Sequence, residues 1–241
     1  MKDTFPRLLF VAISLLMFAA VPAYAAGNAP PRGITLDGTT GTSGKLSLPG
    51  PDYQIRAEYG QQAGANLFHS FQQFNIHSDE SATFKGPNSV RNIITRVTGG
   101  DASWIDGLLS SEIPGADLYL LNPAGVMFGA NAALDLNASF HVSTADYLRM
   151  GTDGQFPALA EKDAVLSAEA PTAFGFLDGD IGPITFEGRG RLTERDWKGA
   201  CEGGRDCQDW WDWNKNNSLG LWASEANMIS VIGGDIRVVP K

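Results

Sequence analysis

The sequence has three histidines, His69, His77 and His141, and histidine is the side chain that acid–base catalysis uses most often. His69 precedes Ser70 directly, and a serine beside a histidine is the pair that nucleophilic catalysis uses. Adjacent residues of a β-strand point to opposite faces, however, so we expect His69 to pack or to make an outward hydrogen bond. His77 and His141 have no metal-ligand spacing with it. We therefore predict no catalytic residue, no metal site and no cofactor.

Two cysteines, Cys201 and Cys207, lie close together near the end of the sequence. In an exported protein such a pair indicates a local disulfide, and two free thiols are the alternative. Two ligands alone make a poor zinc site.

The N-terminal residues predict export. A basic start is followed by an apolar run over residues 8–20, and residues 23–25, Ala-Tyr-Ala, fit the small-x-small pattern of a cleavage site. The run is shorter than the about 20 residues that a membrane span needs. We predict a signal peptide at 1–25 and a mature domain at 26–241.

The charge of the chain limits the class of its partners. The formal net charge is −9 at pH 7. An acidic chain lacks the basic surface that nucleic acids attract, so we expect no nucleic-acid partner.

Short alternating strands dominate the pattern of the mature chain. Apolar pairs in 118–142 recur every six to eight residues, and the 28 glycines and 13 prolines punctuate the whole sequence. Only Thr144–Met150 and Phe156–Ala170 leave room for a helical turn. A barrel would also alternate, but strands this short suit a parallel β-helix of about 20–25 residues per coil. The last residues end on a strand without a cap, so we expect a fragment or a short product of a longer protein.

Four blocks of the sequence, in order, resemble a known family. They are NLFHSFQQFNI (66–76), NIITRVTGGDASWIDGLL (92–109), LYLLNPAGVMFGANAALDLNASFHVSTADYL (118–148) and ISVIGGDI (229–236). The chain resembles the filamentous haemagglutinin N-terminal domain, which is the secretion domain of two-partner secretion exoproteins and is also called the haemagglutination activity domain.

This resemblance implies a fold and a function. The implied fold is all-β, a right-handed parallel β-helix with an N-terminal cap. The implied function is that of a secretion domain of an adhesin-like exoprotein, delivered to the periplasm by the Sec machinery. A dedicated outer-membrane β-barrel transporter then recognises the largely unfolded chain, which folds outside the cell. The implied final location is secreted or at the cell surface.

The resemblance also suggests recognition residues. The family's Asn-Pro-Asn-Gly motif falls on Asn122, Pro123, Ala124 and Gly125, with alanine in place of the second asparagine. We expect the turn to survive, because proline and glycine occupy favourable turn positions. A plain structural turn is the alternative to a recognition signal. The other candidates in the matching blocks are Asn66, His69, Phe71, Asn92 and Arg96. Arg96 lies between apolar neighbours, and we expect it to face outward or to pair with an acidic residue of the next coil.

Residues 187–225 fit the family pattern poorly and are predicted to be an insertion stapled by Cys201 and Cys207. Five of the six tryptophans lie in it, and Trp210, Trp211 and Trp213 form the densest group. They could form an exposed platform for a glycan or a protein, or pack as a small core. Acidic residues nearby lack the spacing of a known calcium loop.

Two other function classes remain open beside a secretion domain. One is a polysaccharide-active β-helix enzyme, which would need clustered aspartates and a basic residue on one face; the sequence shows no such cluster. The other is a module that binds glycans directly, a role compatible with secretion.

Overall fold

The computed structural model describes residues 31–159, 166–177, 179–188, 222–223 and 228–239. The predicted all-β class is confirmed, with one short 3-10 helix at Ala57–Tyr59 as the exception in these ranges. The strands are β1 (Gly33–Asp37), β2 (Lys45–Ser47), β3 (Asp52–Arg56), β4 (Gln61–Ala63), β5 (Asn66–Asn75), β6 (Ser81–Lys85), β7 (Asn92–Val97), β8 (Ser103–Ile105), β9 (Leu108–Ser111), β10 (Asp117–Leu121), β11 (Val126–Phe128), β12 (Ala133–Asp135), β13 (Phe140–Ser143), β14 (Tyr147–Met150), β15 (Gly154–Pro157), β16 (Pro171–Gly175), β17 (Pro183–Glu187), β18 (Trp222–Ala223), β19 (Ile229–Ile232) and β20 (Asp235–Val239).

Three sheets with parallel pairing are visited by the chain in a recurring order. From β7 to β13 the chain returns to the first sheet at every third strand, so that β7, β10 and β13 are neighbours. The second sheet pairs β8 with β11, and the third pairs β9 with β12. Each short strand is followed by a turn that directs the chain to the next sheet. This topology is compatible with a parallel β-helix.

The inner core follows from the period-2 alternation of the strands. In β10, for example, Leu118 and Leu120 point inward, and their register partners on β13 are Phe140 and Val142. All four side chains are at most 1% exposed. Burying a side chain of this size stabilises the fold by about 1.5–3 kcal/mol before entropy is counted.

Antiparallel strands occupy the edge of the first sheet that leads into β5. β1 pairs antiparallel with β5, and β2 pairs antiparallel with β1. Ile34 and Leu36 of β1 are buried in the same core as the parallel strands. The N-terminal strands therefore cover the first parallel strand of that sheet.

A separate three-stranded antiparallel sheet, formed by β14, β15 and β16, lies over the outer face of the first sheet. It buries a second core in which Leu148, Met150 and Phe156 pack with Phe68 and Ile94. The helical turn predicted at Thr144–Met150 is wrong, and the one predicted at Phe156–Ala170 is wrong where that range is described. The reason is that Leu148 and Met150, two apart, are both buried, which is the alternation of a strand.

Candidate functional site

Two asparagines from the matching blocks lie side by side where their strands begin. Asn66 opens β5 and Asn92 opens β7, and the two are register partners. The amide of Asn92 donates to Oδ1 of Asn66 at 2.8 Å. The amide of Asn66 donates in turn to the carbonyls of Ser167 and Glu169, at 2.9 and 2.7 Å. The pair thus joins two neighbouring strands to the segment that leads into β16.

Arg96 on β7 is the centre of a second polar group. Its Nε donates to Oγ of Ser70 at 2.8 Å, and its Nη2 donates to Oγ1 of Thr39 at 3.1 Å. Its Nη1 donates to the carbonyls of Pro157 and Leu159, at 2.8 and 3.3 Å. One guanidinium therefore contacts the N-terminal strands, the first sheet and the outer sheet.

The outward orientation expected for Arg96 needs correction. The side chain does point away from the inner core, but Arg96 is only 2% exposed because the outer sheet covers it. The guanidinium carbon lies 4.7 Å from the centroid of the Phe156 ring, which is a cation–π distance. A buried guanidinium must have its donors satisfied, and the hydrogen bonds above supply that need.

The carboxylate of Asp37 accepts hydrogen bonds from the two hydroxyls that also contact Arg96. Ser70 donates to Oδ2 of Asp37 at 2.6 Å, and the Thr39 hydroxyl donates to Oδ1 at 2.8 Å. The hydroxyl of Thr98 and the amide of Thr39 add two further bonds, each 2.8 Å long. Burial alone would raise the pKa of Asp37, but these hydrogen bonds outweigh it, so the pKa lies below its ordinary value. The charged carboxylate and the guanidinium are thus bridged by Ser70 and Thr39.

His69 and Ser70 lie on opposite faces of β5, as the alternation predicted. The His69 ring is fully buried in the inner core, stacked on Phe71 and tilted against Phe84, with centroids 6.0 and 5.6 Å away. Neither ring nitrogen has a hydrogen-bond partner. Burial lowers the pKa of His69 to about 3, so the imidazole is neutral at pH 7. His69 and Phe71 therefore act in packing.

The side chain of Asn122, the first residue of the Asn-Pro-Ala-Gly turn, stabilises that turn through hydrogen bonds. The amide of Asn122 donates to the carbonyl of Asp101 and to Oγ of Ser103, both at 3.0 Å. Its Oδ1 accepts the backbone N–H of Ala124 at 3.1 Å, and its carbonyl accepts the N–H of Gly125 at 3.0 Å. The expected turn is therefore present, and Asn122 is wholly buried within it.

The segment that leads into β17 packs directly on this turn. The N–H of Gly182 donates to the carbonyl of Pro123 at 2.8 Å. A Cβ on Gly182 would lie 2.3 Å from the carbonyl carbon of Ala124, so only glycine allows this approach. Gly125 has φ +120°, and a Cβ there would lie 2.9 Å from the carbonyl oxygen of Pro183. The turn is a packing surface for the segment that leads into β17, and the half-buried Ala124 lies at its edge.

The structure thus places the candidate residues at three polar positions and in the inner core. The polar positions are the Asn66–Asn92 pair, Arg96 and the Asn122 turn; His69 and Phe71 lie in the inner core. Sequence reasoning missed Asp37, Thr39 and Thr98, and no motif marks them. The predicted platform of Trp210, Trp211 and Trp213, and the pair Cys201 and Cys207, lie outside the described residues, as does the signal peptide. The described ranges hold no group of three His, Cys, Asp or Glu side chains placed for a metal ion.

A protein-family comparison gives this arrangement its context. The family model of the TPS secretion domain matches residues 32–239, most of the 241-residue chain. The chain belongs to the TPS secretion domain family. The predicted resemblance to the N-terminal domain of filamentous haemagglutinin is thereby confirmed. A comparison with curated proteins finds no match.

TPS secretion domains are the N-terminal secretion domains of two-partner secretion exoproteins. Such proteins pass through the periplasm to the cell surface or the extracellular space, and their partner is an outer-membrane transporter. The match includes all three polar positions described above and also runs across the predicted insertion at 187–225. Within the ranges that the structure describes, no helix has the length and apolar character needed to span a membrane.

Proposed function

We propose that this domain is recognised in the periplasm, before it folds, by the periplasmic recognition domains of a dedicated outer-membrane β-barrel transporter. Sec delivery and cleavage after residue 25 precede that step. Outside the cell the chain folds into a right-handed parallel β-helix with an N-terminal cap.

One observation carries the proposal: five of the candidate recognition side chains are buried once the domain has folded, whereas Asn92, Pro123 and Ala124 are half-buried. Asn66 and Arg96 are 1% and 2% exposed, and His69, Phe71 and Asn122 are fully buried. A partner protein cannot contact side chains in that state. If they form part of the signal, the transporter must meet them in an unfolded chain.

Burial of the same side chains on folding favours export in the outward direction. The polar ones, Asn66, Arg96 and Asn122, form hydrogen bonds to segments far away in the sequence, such as those of Arg96 to Thr39 and to Pro157. These bonds form only after the strands have assembled, since non-local contacts must first overcome loop-closure entropy. A chain held extended by the transporter therefore keeps its signal accessible, and folding outside the cell hides it.

The β-helix itself is supported by the recurring order of the three sheets. A connection from one parallel strand to the next in the same sheet is right-handed in about 98% of proteins. The antiparallel pairing of β1 and β2 at the first coil suits a cap, because it covers an edge that would otherwise stay unpaired.

We propose a non-enzymatic, adhesin-like role for the exoprotein. His69 and Ser70 cannot act as a base and a nucleophile because they face different cores. The adhesin character rests on the family resemblance. Binding of a glycan or a protein by the tryptophans of 187–225 is part of the same proposal.

A binding experiment tests the recognition step. The periplasmic part of the cognate transporter is immobilised, and the mature chain is applied either freshly diluted from urea or after refolding. We expect the unfolded chain to bind at least about tenfold more tightly, a difference of about 1.4 kcal/mol. Asn66→Ala and Asn122→Ala should weaken binding of the unfolded chain, whereas Asn137→Ala, at an exposed corner, should not. Equal binding of the folded protein would contradict the proposal.

A further inference from the structure

The outer face of the first sheet carries a ladder of side chains in register. Phe68, Ile94, Tyr119, His141 and Ser230 occupy equivalent positions on β5, β7, β10, β13 and β19. The outer sheet covers Phe68 and Ile94, which are fully buried. Tyr119, His141 and Ser230 are only half-buried. The ladder therefore runs from beneath the outer sheet to Tyr119 and His141, which line a groove, and ends at Ser230 beside it.

The stack of aromatic rings in this ladder ends at His141. The rings of Tyr119 and His141 are stacked, with centroids 4.4 Å apart and planes 16° from parallel. Ser230, the next position, is too small to stack, and no other ring covers the far side of His141 in the described part of the chain. Neighbouring strands lie about 4.8 Å apart, which is close to the spacing of stacked rings. The space above Ser230 therefore suits one ring from outside the chain.

The surrounding groove has walls suited to the apolar side of a ligand. Its volume is about 380 Å³, and its lining includes Leu148, Pro171, Phe174 and Ile232 in addition to Tyr119 and His141. This volume falls within the about 300–1,000 Å³ that is usual for small-ligand sites. The Tyr119 and Phe174 centroids are 6.4 Å apart, so a second aromatic wall stands beside the stack.

The polar groups at the groove favour a neutral, hydroxyl-rich ligand. The side chains of Tyr119, His141 and Ser230 carry hydrogen-bonding groups and occupy neighbouring register positions of the ladder. Burial, with Asp117 adding to it, raises the pKa of Tyr119 to about 12. Burial lowers the pKa of His141, although Asp117 opposes that shift. At pH 7 both rings are neutral, and the Asp117 carboxylate disfavours an anion.

We propose that this groove binds one residue of a neutral glycan, with the apolar face of the pyranose ring stacked on His141 above Ser230. Tyr119, His141 and Ser230 offer hydrogen bonds to the sugar hydroxyls, and Phe174 and Ile232 flank the ring. None of the residues proposed for transporter recognition lines this site.

The probes are the neutral disaccharides maltose, lactose and chitobiose, titrated into the folded mature protein. The ring resonances of His141 and Tyr119 are followed by NMR at neutral pH. We expect saturable shifts with at least one of them. Ser230→Phe places a ring in the vacant position and should weaken binding at least about tenfold, since aromatic stacking can supply about 1.4 kcal/mol. Ser47→Phe is the matched control, because β2 is the opposite edge strand of the same sheet.

Three results would overturn this site. One is the absence of ring shifts with all three sugars. The second is binding that Ser230→Phe leaves unchanged while the variant keeps a native thermal transition. The third is saturable binding of tryptophanamide but of no sugar, which would assign the groove to aromatic peptide side chains.

Discussion

The guanidinium of Arg96 and the carboxylate of Asp37 are joined through two shared hydroxyls, those of Ser70 and Thr39. Each hydroxyl donates to Asp37 and accepts from Arg96. This relay connects the end of β1 to β5 and β7, and Arg96 extends it to the outer sheet. The N-terminal strands, the parallel strands and the outer sheet are therefore held by one buried polar group.

Replacing Arg96 with leucine should destabilise the folded domain by about 2–4 kcal/mol, because the hydrogen bonds of a buried charged group are lost, including the buried one to Ser70. Urea unfolding of the mature domain measures this. Arg56→Leu is the matched control, since Arg56 is exposed and its ion pair with Glu58 is worth at most about 1 kcal/mol. Similar losses for the two variants would show that the Arg96 group does not hold the fold together.

The fully buried His69 should make stability depend on pH. Its pKa is about 3 in the folded state, below the ordinary value of 6.5. Its contribution is complete above pH 6.5 and is lost as pH falls, because the unfolded chain then binds a proton that the folded chain cannot. Between pH 7 and pH 5 the loss should be about 2 kcal/mol.

His69→Phe should remove this dependence and also remove two unpaired nitrogens from the core. The measurement is the difference in unfolding free energy between wild type and variant at pH 7, 6 and 5. The half-buried His141 is present in both proteins, so its contribution cancels. Asp37, with a lowered pKa, loses its contribution only below its ordinary value of 3.8. A difference that is constant across this range would contradict burial of a neutral imidazole.

Asn122→Ala should cost about 2–3 kcal/mol, because three hydrogen bonds are lost, one of them to the buried hydroxyl of Ser103. The corner residue Asn137 is exposed, so Asn137→Ala should change stability by less than about 0.5 kcal/mol. Thermal or urea unfolding of the two variants provides the comparison. If both behave alike, the Asn122 side chain does not hold the turn.

Ala124→Asn restores the family residue and should change stability by less than about 0.5 kcal/mol, since Ala124 is only half-buried. Its backbone N–H is already bonded to Asn122. We also expect unchanged export, because recognition is spread over the domain. The readout is the amount of mature protein in the medium with the transporter present. A clear rise would mean that the third position of the motif contacts the transporter.

Many of the strands and turns could be predicted from the sequence because they depend on residues that are close together in it. Pairs such as Leu118 and Leu120, separated by turn residues, predict short strands with one buried face. The Asn122 turn was predictable for the same reason, since its bonds to Ala124 and Gly125 lie within four residues. The order of the matching blocks indicated the family.

The polar contacts could not be predicted, because they join distant parts of the chain. Arg96 and Thr39 are 57 residues apart, and Arg96 and Pro157 are 61 apart. Alternation correctly directed Arg96 to the outer face, but it cannot reveal that a second sheet covers that face. The strands of that sheet were not predictable because they are short and because β16, the second partner of β14, is distant in the sequence.

Transporter-dependent release is the most direct test of the central claim. The full chain is expressed with and without its cognate outer-membrane transporter, and the mature protein is measured in the medium and in the periplasm. We predict release only with the transporter, and periplasmic protein without it. Release in the absence of the transporter, or periplasmic retention in its presence, would contradict the two-partner account.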